Sequence, residues 1–420
     1  MIEYDIVIIG GGPAGLAAAI AAKEEGADRV LVIEREEQLG GMLNQCIHTG
    51  FGGNTLKEPL TGPEYAQKFV DKIKELEINY KLNTMVIDLN KDKIITVVSE
   101  EGITQIKAKS IILAMGCREK PRGAINIPGS KAAGIFTAGA AQKFVNVEGH
   151  MPGKQIVILG SGQIALVMAR RMTIEGASIK AVVELLPYAM SSEKNIEDCL
   201  LDFNIPLKLS YTVIDIKGKD RIEGVIIAKV DEKNIPIRGT EEYISCDTLL
   251  LSVGLLPENE LSRKVDIKIC DKTCGPEVDE AMHTSVDGIF ACGNVLYVHD
   301  FVDDVIEESY MAGRNAALYI MGKRFKGRKL SVNAGEGLSY IIPQYISTNN
   351  CDSNIDIKFR VNKVYLNCFI SVYFDEEKVL SISREKLIPG EIASLELVRS
   401  IFEKHSIYNK ITIKIEETEV

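Results

Sequence analysis

The sequence lacks an apolar segment long enough to cross a lipid bilayer. None of its hydrophobic runs reaches the ~18 residues that a membrane-spanning helix needs, so we expect no membrane span. The apolar start is not expected to be a secretion signal, because Glu3 and Asp5 precede it and glycines interrupt it from Gly10. The sequence also has fewer basic than acidic side chains, 49 Lys and Arg compared with 59 Asp and Glu, which gives a net charge of -10. That balance argues against a nucleic acid or an anionic membrane surface as a partner, because phosphate groups attract a positive field.

A disulfide framework is missing as well. The nine cysteines are an odd number and repeat no spacing, which is typical of reduced thiols, so we expect a cytoplasmic protein. Cys270 and Cys274 form a C-x3-C pair that fits neither a common zinc pattern nor an iron-sulfur pattern. We therefore predict no metal site. The length of 420 residues predicts two or three domains.

What is present is a strand, a glycine turn and a helix at the start of the chain. A continuous apolar run at 6–9 predicts a strand buried on both faces, and it leads into G-x-G-x-x-G at 10–15. In this pattern Gly10 makes a tight turn, Gly12 lets the backbone approach a pyrophosphate, and Gly15 lets the helix pack closely. Glu34 ends the second strand nineteen residues after Gly15, where a carboxylate can bind a ribose diol. The alternative, an ordinary tight strand-helix turn, explains the glycines but not the acid at that interval.

A second unit of the same kind begins near residue 154. The strand at 156–159 leads into Gly160-Ser161-Gly162-Gln163-Ile164-Ala165, which fits G-x-G-x-x-A, and Glu184 again follows after nineteen residues. Two such units in one chain predict two bound dinucleotides. A carboxylate at Glu184 favours NAD over NADP, because it bonds a 2'-hydroxyl and repels a 2'-phosphate, and 185–187 supply no arginine. A solvent-facing Glu184 would leave that preference open.

The rest of the chain predicts further strands and helices around these units. The segment 40–53 is dense in glycine and suits a loop that wraps a large flat ligand. Periodicity predicts a helix over about 63–77, strands at 78–86, 94–98, 103–106 and 110–113, and a strand-rich block over 205–230. Beyond about 331, strand-like runs such as 364–374, a turn at 389–390 and a helix over about 392–402 predict a small module without recognisable chemistry.

These segments, taken in order, resemble the flavoprotein reductases that bind two dinucleotides, the class of thioredoxin reductase and glutathione reductase. The resemblance covers about residues 1–325 and rests on both fingerprints, SIILAMG at 110–116 and TSVDGIFACGN at 284–294. It implies an α/β protein with two Rossmann-like dinucleotide-binding domains, a discontinuous FAD domain of residues 1–117 and 256–330 and an NAD domain of residues 118–255. The strand-like runs and the helix predicted beyond residue 330 add a small α+β C-terminal module over 331–420.

A closer resemblance concerns four segments: GGMLNQCIHTGFG, GCREKPRGAINIPG, IFTAGAAQ and ACGNVLYVHDFVD. They are similar to the flavin subunits encoded beside anaerobic glycerol-3-phosphate dehydrogenases, and to those of dye-linked amino-acid dehydrogenases and hydrogen cyanide synthase. This implies an electron-transferring NADH and FAD oxidoreductase that works as an oligomer or in a complex, with a glycerol-3-phosphate dehydrogenase-type subunit as a candidate partner.

Two departures from the reductase class bear on the chemistry. Its C-x4-C dithiol would fall at Leu43 and His48, so disulfide exchange is not expected. Asn294 stands where the class usually has an aspartate that bonds the ribityl chain of FAD. An amide can still hydrogen-bond a hydroxyl, so FAD binding is expected to survive.

The resemblance also assigns cofactor contacts along the chain. The implied FAD contacts are Gly10, Gly12, Pro13, Ala14, Gly15, Glu34, Arg35, Gly41, Met42, Val86, Ala114, Gly116, Gly293, Asn294 and Val302. The implied NAD contacts are Gly160, Gly162, Gln163, Ile164, Glu184 and Gly254.

Hydride transfer between a nicotinamide and a flavin needs no side-chain acid or base, so no catalytic triad is expected. Cys46 could serve as a peroxide-reducing or charge-transfer thiolate, or be a small buried thiol. His48 could protonate the reduced flavin or a substrate, or simply be a hydrogen-bonded loop histidine. The leading hypothesis is an FAD enzyme that passes electrons between NADH and a second donor or acceptor. The alternatives are a stand-alone NADH oxidase or peroxidase that uses Cys46, and an FAD-bearing scaffold subunit whose C-terminal module docks a partner.

Overall fold

The computed structural model describes residues 2–53, 57–323, 329–347, 354–405 and 408–417. The chain divides into two compact units, one of residues 1–117 with 257–420 and one of residues 118–256. We call them the first unit and the second unit. No helix in the described ranges has the length and apolar character needed to cross a membrane.

The N-terminal part of the first unit begins as the apolar runs predict. Its elements are β1 (Ile2–Ile9), α1 (Pro13–Glu24), β2 (Val30–Ile33), a 3-10 helix (Gly41–Gln45), β3 (Thr49–Phe51), β4 (Leu60–Thr61), α2 (Gly62–Glu75), β5 (Asn79–Lys81), β6 (Met85–Leu89), β7 (Ile94–Ser99) and β8 (Gly102–Leu113). The next strand, β9 (Cys117–Glu119), begins at the last residue of this part and continues into the second unit. Strands β1 and β2 are parallel, and every residue of β2 is buried. Continuous burial explains why these strands read as unbroken apolar runs.

The second unit repeats the arrangement around its own parallel sheet, ordered β10-β17-β11-β12-β13, and adds an antiparallel sheet, β14-β15-β16. Its elements are α3 (Arg122–Ile125), β10 (Ile135–Thr137), α4 (Ala138–Asn146), β11 (Gln155–Leu159), α5 (Gln163–Ile174), β12 (Ser178–Glu184), α6 (Glu193–Ile196), a π-helical turn (Glu197–Leu201), β13 (Leu207–Leu209), β14 (Tyr211–Gly218), β15 (Ile222–Lys229), β16 (Glu242–Ser245), β17 (Thr248–Leu251) and β18 (Leu255–Pro257). The glycine turn at 160–162 therefore joins the end of β11 to α5.

The chain then completes the first unit. The elements are α7 (Glu260–Lys264), β19 (Ile289–Ala291), a 3-10 helix (Gly293–Val295) and α8 (Val302–Ile320). The sheet has the order β5-β2-β1-β8-β7-β6, and β19 also pairs with β8. Strands β1, β2, β5 and β19 are parallel to their partners, whereas β6, β7 and β8 form an antiparallel meander. Ligands of such sheets bind beyond the carboxyl ends of the parallel strands, which is where the first glycine turn lies.

The C-terminal module also belongs to the first unit, and its described residues form two sheets with one short helix. Its elements are β20 (Lys329–Ala334), β21 (Leu338–Ile342), β22 (Tyr345–Ser347), β23 (Ile355–Val361), β24 (Tyr365–Phe374), β25 (Glu377–Leu387), β26 (Ala393–Leu397), α9 (Arg399–Lys404) and β27 (Lys410–Glu417). One sheet has the order β22-β20-β27-β24-β25 and the other β21-β23-β26. Buried residues of both sheets, such as Phe359 and Ile370, form a core of their own.

The α/β class with Rossmann-like domains is confirmed, as are the predicted helix near 63–77 and the strand near 364–374. The helix predicted over 392–402 is wrong. Residues 393–397 form strand β26, which pairs with β23, and a helix begins only at Arg399. Pairing with a neighbouring strand outweighed the local helical pattern, because strand preference depends on packing partners. The strands predicted at 103–106 and 110–113 are one strand, β8.

Candidate functional site

The first glycine turn is shaped by close backbone contacts. Gly10 has φ +110°, and a Cβ built on it would lie 2.3 Å from the carbonyl oxygen of Ala114. A Cβ on Gly15 would lie 1.8 Å from the carbonyl oxygen of Gly10. Both glycines are therefore required by the protein itself, one by the neighbouring strand and the other by the approach of α1 to the turn.

Gly12 differs from these two glycines because the protein leaves room beside it. The nearest atom to a Cβ on Gly12 would be the Cα of Gly41, at 3.9 Å. The glycine-dense loop lies against the turn, since the Gly40 N–H donates to the Gly11 carbonyl at 2.8 Å. The N-terminus of α1 begins at Pro13 and supplies backbone N–H groups and a positive dipole end. This cradle fits the diphosphate of a dinucleotide.

Glu34 lies at the tip of β2 and is only 7% exposed. One carboxylate oxygen accepts the Gly11 N–H at 2.7 Å, and the other accepts the Glu36 N–H at 2.9 Å. The carboxylate therefore holds the middle of the glycine turn. Each oxygen keeps a further lone pair, so the group can also accept from a ribose hydroxyl.

The second glycine turn has the same construction. Gly160 has φ +102°, and a Cβ on it would lie 2.1 Å from the Ser252 carbonyl oxygen, whereas a Cβ on Gly162 would meet no atom within 4 Å. Glu184 is 5% exposed, so the alternative of a solvent-facing acid is wrong. Its Oε2 accepts from the backbone N of Ser161 at 2.9 Å and from Ser161 Oγ at 2.6 Å, and its Oε1 accepts from the Leu186 N at 2.9 Å. Gly162 therefore has open space beside it, as Gly12 does. Glu184 holds the second turn by hydrogen bonds, as Glu34 holds the first.

The other residues proposed for cofactor contact fall around these turns or on neighbouring strand ends. Near the first turn lie Pro13 and Ala14 on α1, exposed Arg35 and Met42, Val86 on β6, and Ala114 and Gly116 after β8. Near the second turn, Gln163 is exposed and Ile164 is partly buried at the start of α5, and Gly254 follows β17 with φ +105°.

Asn294 follows β19 and is held by a histidine whose role the sequence did not reveal. Its side-chain oxygen accepts the backbone N–H of His299 at 3.1 Å and lies 3.0 Å from the Nδ1 of the same residue. Its amide nitrogen donates to the Cys117 Sγ at 3.6 Å. The oxygen of Asn294 is thus engaged within the protein, and the NH2 group points toward the turn after β8.

His299 in turn pairs with a buried carboxylate on α8. Its Nε2 lies 3.2 Å from Glu308 Oε2, and the two side chains are 1% and 4% exposed. Glu308 also accepts the Gly293 N–H at 2.7 Å and the Tyr297 hydroxyl at 3.1 Å. Burial by itself would raise the pKa of Glu308, but His299 and the Gly293 N–H hold it below its usual 4.5. Burial and the nearby Glu308 raise the pKa of Tyr297 well above its usual range.

These contacts build the turn that the family resemblance assigns to FAD. Glu308 anchors Gly293, which has φ +75°, and His299 anchors Asn294. The only signal in the sequence was the set of titratable residues just before and within α8. Val302 is the first residue of α8.

Cys46 and His48 lie in the glycine-dense loop of the first unit. The Cys46 thiol is partly buried and donates to the Met42 carbonyl at 3.3 Å. The ring of His48 packs 5.1 Å from that of Phe51, centre to centre. In the described part of the chain, no three His, Cys, Asp or Glu side chains are grouped so as to hold a metal ion.

A family model described as pyridine nucleotide-disulphide oxidoreductase matches residues 4–317. The hydrogen cyanide synthase subunit HcnB of Pseudomonas protegens is 25% identical over 285 residues, which cover 62% of this chain and 59% of that protein. A Staphylococcus aureus protein named as a subunit of alkyl hydroperoxide reductase is 27% identical over 327 residues, covering 75% of this chain and 58% of that protein. Among solved structures, thioredoxin reductase of T. acidophilum superposes with a TM-score of 0.63 at 20% identity, covering 77% of this chain and all of that one.

The chain therefore spans less than two thirds of the length of both curated relatives. At 20% identity, the likeness to thioredoxin reductase shows a shared fold alone. The resemblance to hydrogen cyanide synthase has a counterpart among these relatives. The association with glycerol-3-phosphate dehydrogenase has none among them and stays a prediction.

Proposed function

Because the chain belongs to the pyridine nucleotide-disulphide oxidoreductase family, whose members are FAD- and NAD(P)-dependent, we propose that it is an FAD-dependent NADH oxidoreductase. In this proposal it transfers a hydride between NADH and bound FAD and exchanges the electrons with a partner or second substrate. FAD, when bound, supplies the two-electron centre. The protein binds and orients the two dinucleotides and keeps water away from them.

One observation carries the proposal: a single chain contains two glycine turns that are each braced by a buried carboxylate and each open at one glycine. Gly12 and Gly162 have space where a Cβ would stand, while Gly10 and Gly160 have none. If glycine were needed only for the packing of the turn itself, a Cβ built on each glycine would clash with the protein. The open glycines support two diphosphate sites, with FAD at the first and NADH at the second.

The preference for NADH is supported by the charge and burial of Glu184. Its carboxylate is fixed by Ser161 and Leu186 and cannot swing away from an added 2'-phosphate without losing those hydrogen bonds. No basic residue follows it at 185–187. A buried carboxylate repels a phosphate strongly, so NADPH should bind more weakly.

The electron partner is proposed to be another protein subunit or a small oxidised molecule rather than a disulfide. Leu43 and His48 occupy the two dithiol positions. Both curated relatives described above are named as subunits, one of hydrogen cyanide synthase and one of alkyl hydroperoxide reductase. A dehydrogenase subunit of the glycerol-3-phosphate type is one candidate for this chain.

The test is a crossed pair of glycine variants in anaerobic titrations. Purified protein reconstituted with FAD should be yellow, and NADH should bleach it. Gly12→Ala should weaken FAD binding and leave NADH binding intact. Gly162→Ala should keep the yellow colour and lose bleaching at low NADH. Each change is expected to be about tenfold or more in the dissociation constant, since it blocks a close backbone approach.

Gly123→Ala is the matched control, because it has no positive φ and a Cβ there would meet no atom within 4 Å. It should bind both dinucleotides as the wild type does. A wild-type protein that stays colourless with excess FAD would end the proposal. So would a yellow protein that NADH never bleaches.

Cys46→Ser separates this function from an NADH peroxidase. In a peroxidase, the thiolate would break the O–O bond of hydrogen peroxide and, with one proton from water, give a sulfenic acid and water. A hydride equivalent from NADH by way of FAD would then restore the thiolate and release a second water. The observed donation from the Cys46 thiol to the Met42 carbonyl favours a packed thiol. We expect Cys46→Ser to leave NADH bleaching and peroxide turnover within about twofold of wild type, because a serine hydroxyl can also donate to the Met42 carbonyl and no reacting group is lost. Loss of peroxide turnover with normal bleaching would establish the peroxidase instead.

A further inference from the structure

The C-terminal module contacts the segment that leads into α8. This segment, residues 298–304, contains Val302, the first residue of α8 and one of the FAD contacts that the family resemblance implies. The module could have been an appendage that meets only other proteins. Instead, four side chains of the segment and module form two ion pairs that join the two directly.

Strand β23 shows how the module reaches the segment. Its sequence IDIKFRV alternates, with Ile355, Ile357, Phe359 and Val361 buried in the module core. The period of two in a strand sends the intervening Asp356, Lys358 and Arg360 to the opposite face. Two of these three side chains are basic, and they pair with Asp304 and Asp300 of the segment 298–304.

Arg360 is the centre of the contact. Its Nη2 pairs with Asp300 Oδ1 and also donates to the Val298 carbonyl at 3.4 Å. Its Nε donates to the Tyr340 hydroxyl at 2.8 Å, and its Nη1 donates to the Pro389 carbonyl at 3.1 Å. One guanidinium therefore ties two points of the segment to two points of the module, a use of its fixed fork of donors.

The pair is also well shielded, since the side chains of Arg360 and Asp300 are 16% and 21% exposed. Asp300 Oδ2 accepts the Ile392 N–H at 2.7 Å, so both carboxylate oxygens bind the module. Lys358 Nζ lies 3.5 Å from Asp304 in the first turn of α8. Burial would lower the pKa of Arg360, but Tyr340 and Asp300 raise it on balance, so the guanidinium stays charged.

We propose that the C-terminal module holds the segment 298–304 in the conformation that receives FAD, with Arg360 as the positioning residue. The inference rests on the proposed FAD site and extends it by giving the module a role within that site. Without Arg360, Asp300 would keep a partly buried charge with one hydrogen bond from the module. The segment should then relax toward water and move the start of α8 away from its binding position.

The decisive comparison is Arg360→Gln against Arg384→Gln, measured on apoprotein titrated with FAD. Arg384 lies on β25 of the same module and donates a hydrogen bond to the carbonyl of its neighbour Ser383. Arg360→Gln should raise the FAD dissociation constant about tenfold or more, the usual effect of losing a residue that orients a binding group. Arg384→Gln should leave it unchanged. NADH binding, which depends on the second unit, should be normal in both variants.

Amide hydrogen exchange of the apoprotein gives a reading that does not depend on FAD. Exchange over 298–304 should rise in Arg360→Gln and in Asp300→Asn, whereas exchange in α5 should not change. The double variant should be no worse than the more severe single variant, because both remove the same pair. If Arg360→Gln does not fold, Asp300→Asn and the conservative Arg360→Lys carry the test, with smaller increases in the same direction.

Equal FAD affinity and equal exchange in wild type and in Arg360→Gln would overturn this inference and leave the proposed function intact. A wild type that binds no FAD would instead refute the proposed function. Weaker FAD binding without faster exchange over 298–304 would also overturn the inference about the module, because the effect would not act through this segment.

Discussion

The two glycine turns have the same local design and different surroundings. In each, a buried glutamate accepts the N–H of the residue after the first glycine, at 2.7 Å from Gly11 and 2.9 Å from Ser161. Around the first turn, α1 is buried continuously from Ala14 to Ala22, and a Cβ on Gly313 of α8 would lie 2.1 Å from the Ala18 carbonyl oxygen.

The second turn is more open. Helix α5 has exposed positions at Gln163 and Arg170, and Ala165 stands where the first turn requires Gly15. Ser161 adds a hydroxyl that bonds Glu184 and accepts the Met190 N–H at 2.9 Å. The enclosed turn suits a cofactor that stays bound and the open one a nucleotide that exchanges. The shared G-x-G turn and its glutamate therefore do not by themselves decide how enclosed the turn is, because that depends on the packing behind it.

The largest expected effect comes from substitutions at the last residue of each glycine motif, Gly15 in the first and Ala165 in the second. Gly15→Ala should destabilise the first unit by about 3 kcal/mol, because its Cβ would meet the Gly10 carbonyl oxygen at 1.8 Å. Flavin content, read from the ratio of visible to ultraviolet absorbance, should fall to near zero. The reverse change, Ala165→Gly, should cost about 1 kcal/mol and keep NADH binding. Normal flavin content in Gly15→Ala would remove the contrast between the turns.

A second prediction uses pH to separate the units. Because the pKa of Glu308 is lowered in the folded protein, its carboxylate stabilises the first unit above its usual value of 4.5, and that contribution is lost as pH falls below it. Glu308→Gln should lower the free energy of unfolding at pH 7 by about 1–3 kcal/mol, the cost of an imperfectly paired buried group. Stability should also fall less steeply as the pH is lowered into the acidic range.

The measurement is the temperature of flavin release as a function of pH. Glu307→Gln is the matched control, since Glu307 is the exposed neighbour on the same helix. NADH affinity should not follow the Glu308 change. An unaltered fall of stability at acidic pH in Glu308→Gln would show that this carboxylate does not support the turn at Gly293.

The last prediction concerns nucleotide choice. Glu184→Gln keeps the shape that braces Ser161 but removes the charge, so the ratio of kcat/KM for NADH over NADPH should fall about ten- to a hundredfold. The equivalent change in the first turn, Glu34→Gln, should affect FAD binding and leave this ratio alone. A ratio unchanged in Glu184→Gln would mean that another group selects the nucleotide.

Much of the candidate site could be predicted from the sequence, because its parts lie close together along the chain. The fingerprints, Glu34 and Glu184 lie within single strand-turn-helix-strand units, and hydrophobic periodicity reports such units directly. The sequence did not reveal the pairs that form between different elements. The pair of Arg360 and Asp300 joins residues 60 apart. His299 and Glu308 are only nine apart, but no local pattern marks the loop histidine and the helix glutamate as a buried pair.

The sequence by itself determined the two dinucleotide-binding units, their order and the lack of a C-x4-C pair after the second strand. Each of these features depends only on residues that are close together along the chain. Tertiary structure alone decided which face of β23 meets the segment 298–304, why 393–397 is a strand, and that the Asn294 amide donates to Cys117. Each of these depends on which distant element supplies the hydrogen-bond or packing partner, and a local sequence pattern does not identify that element.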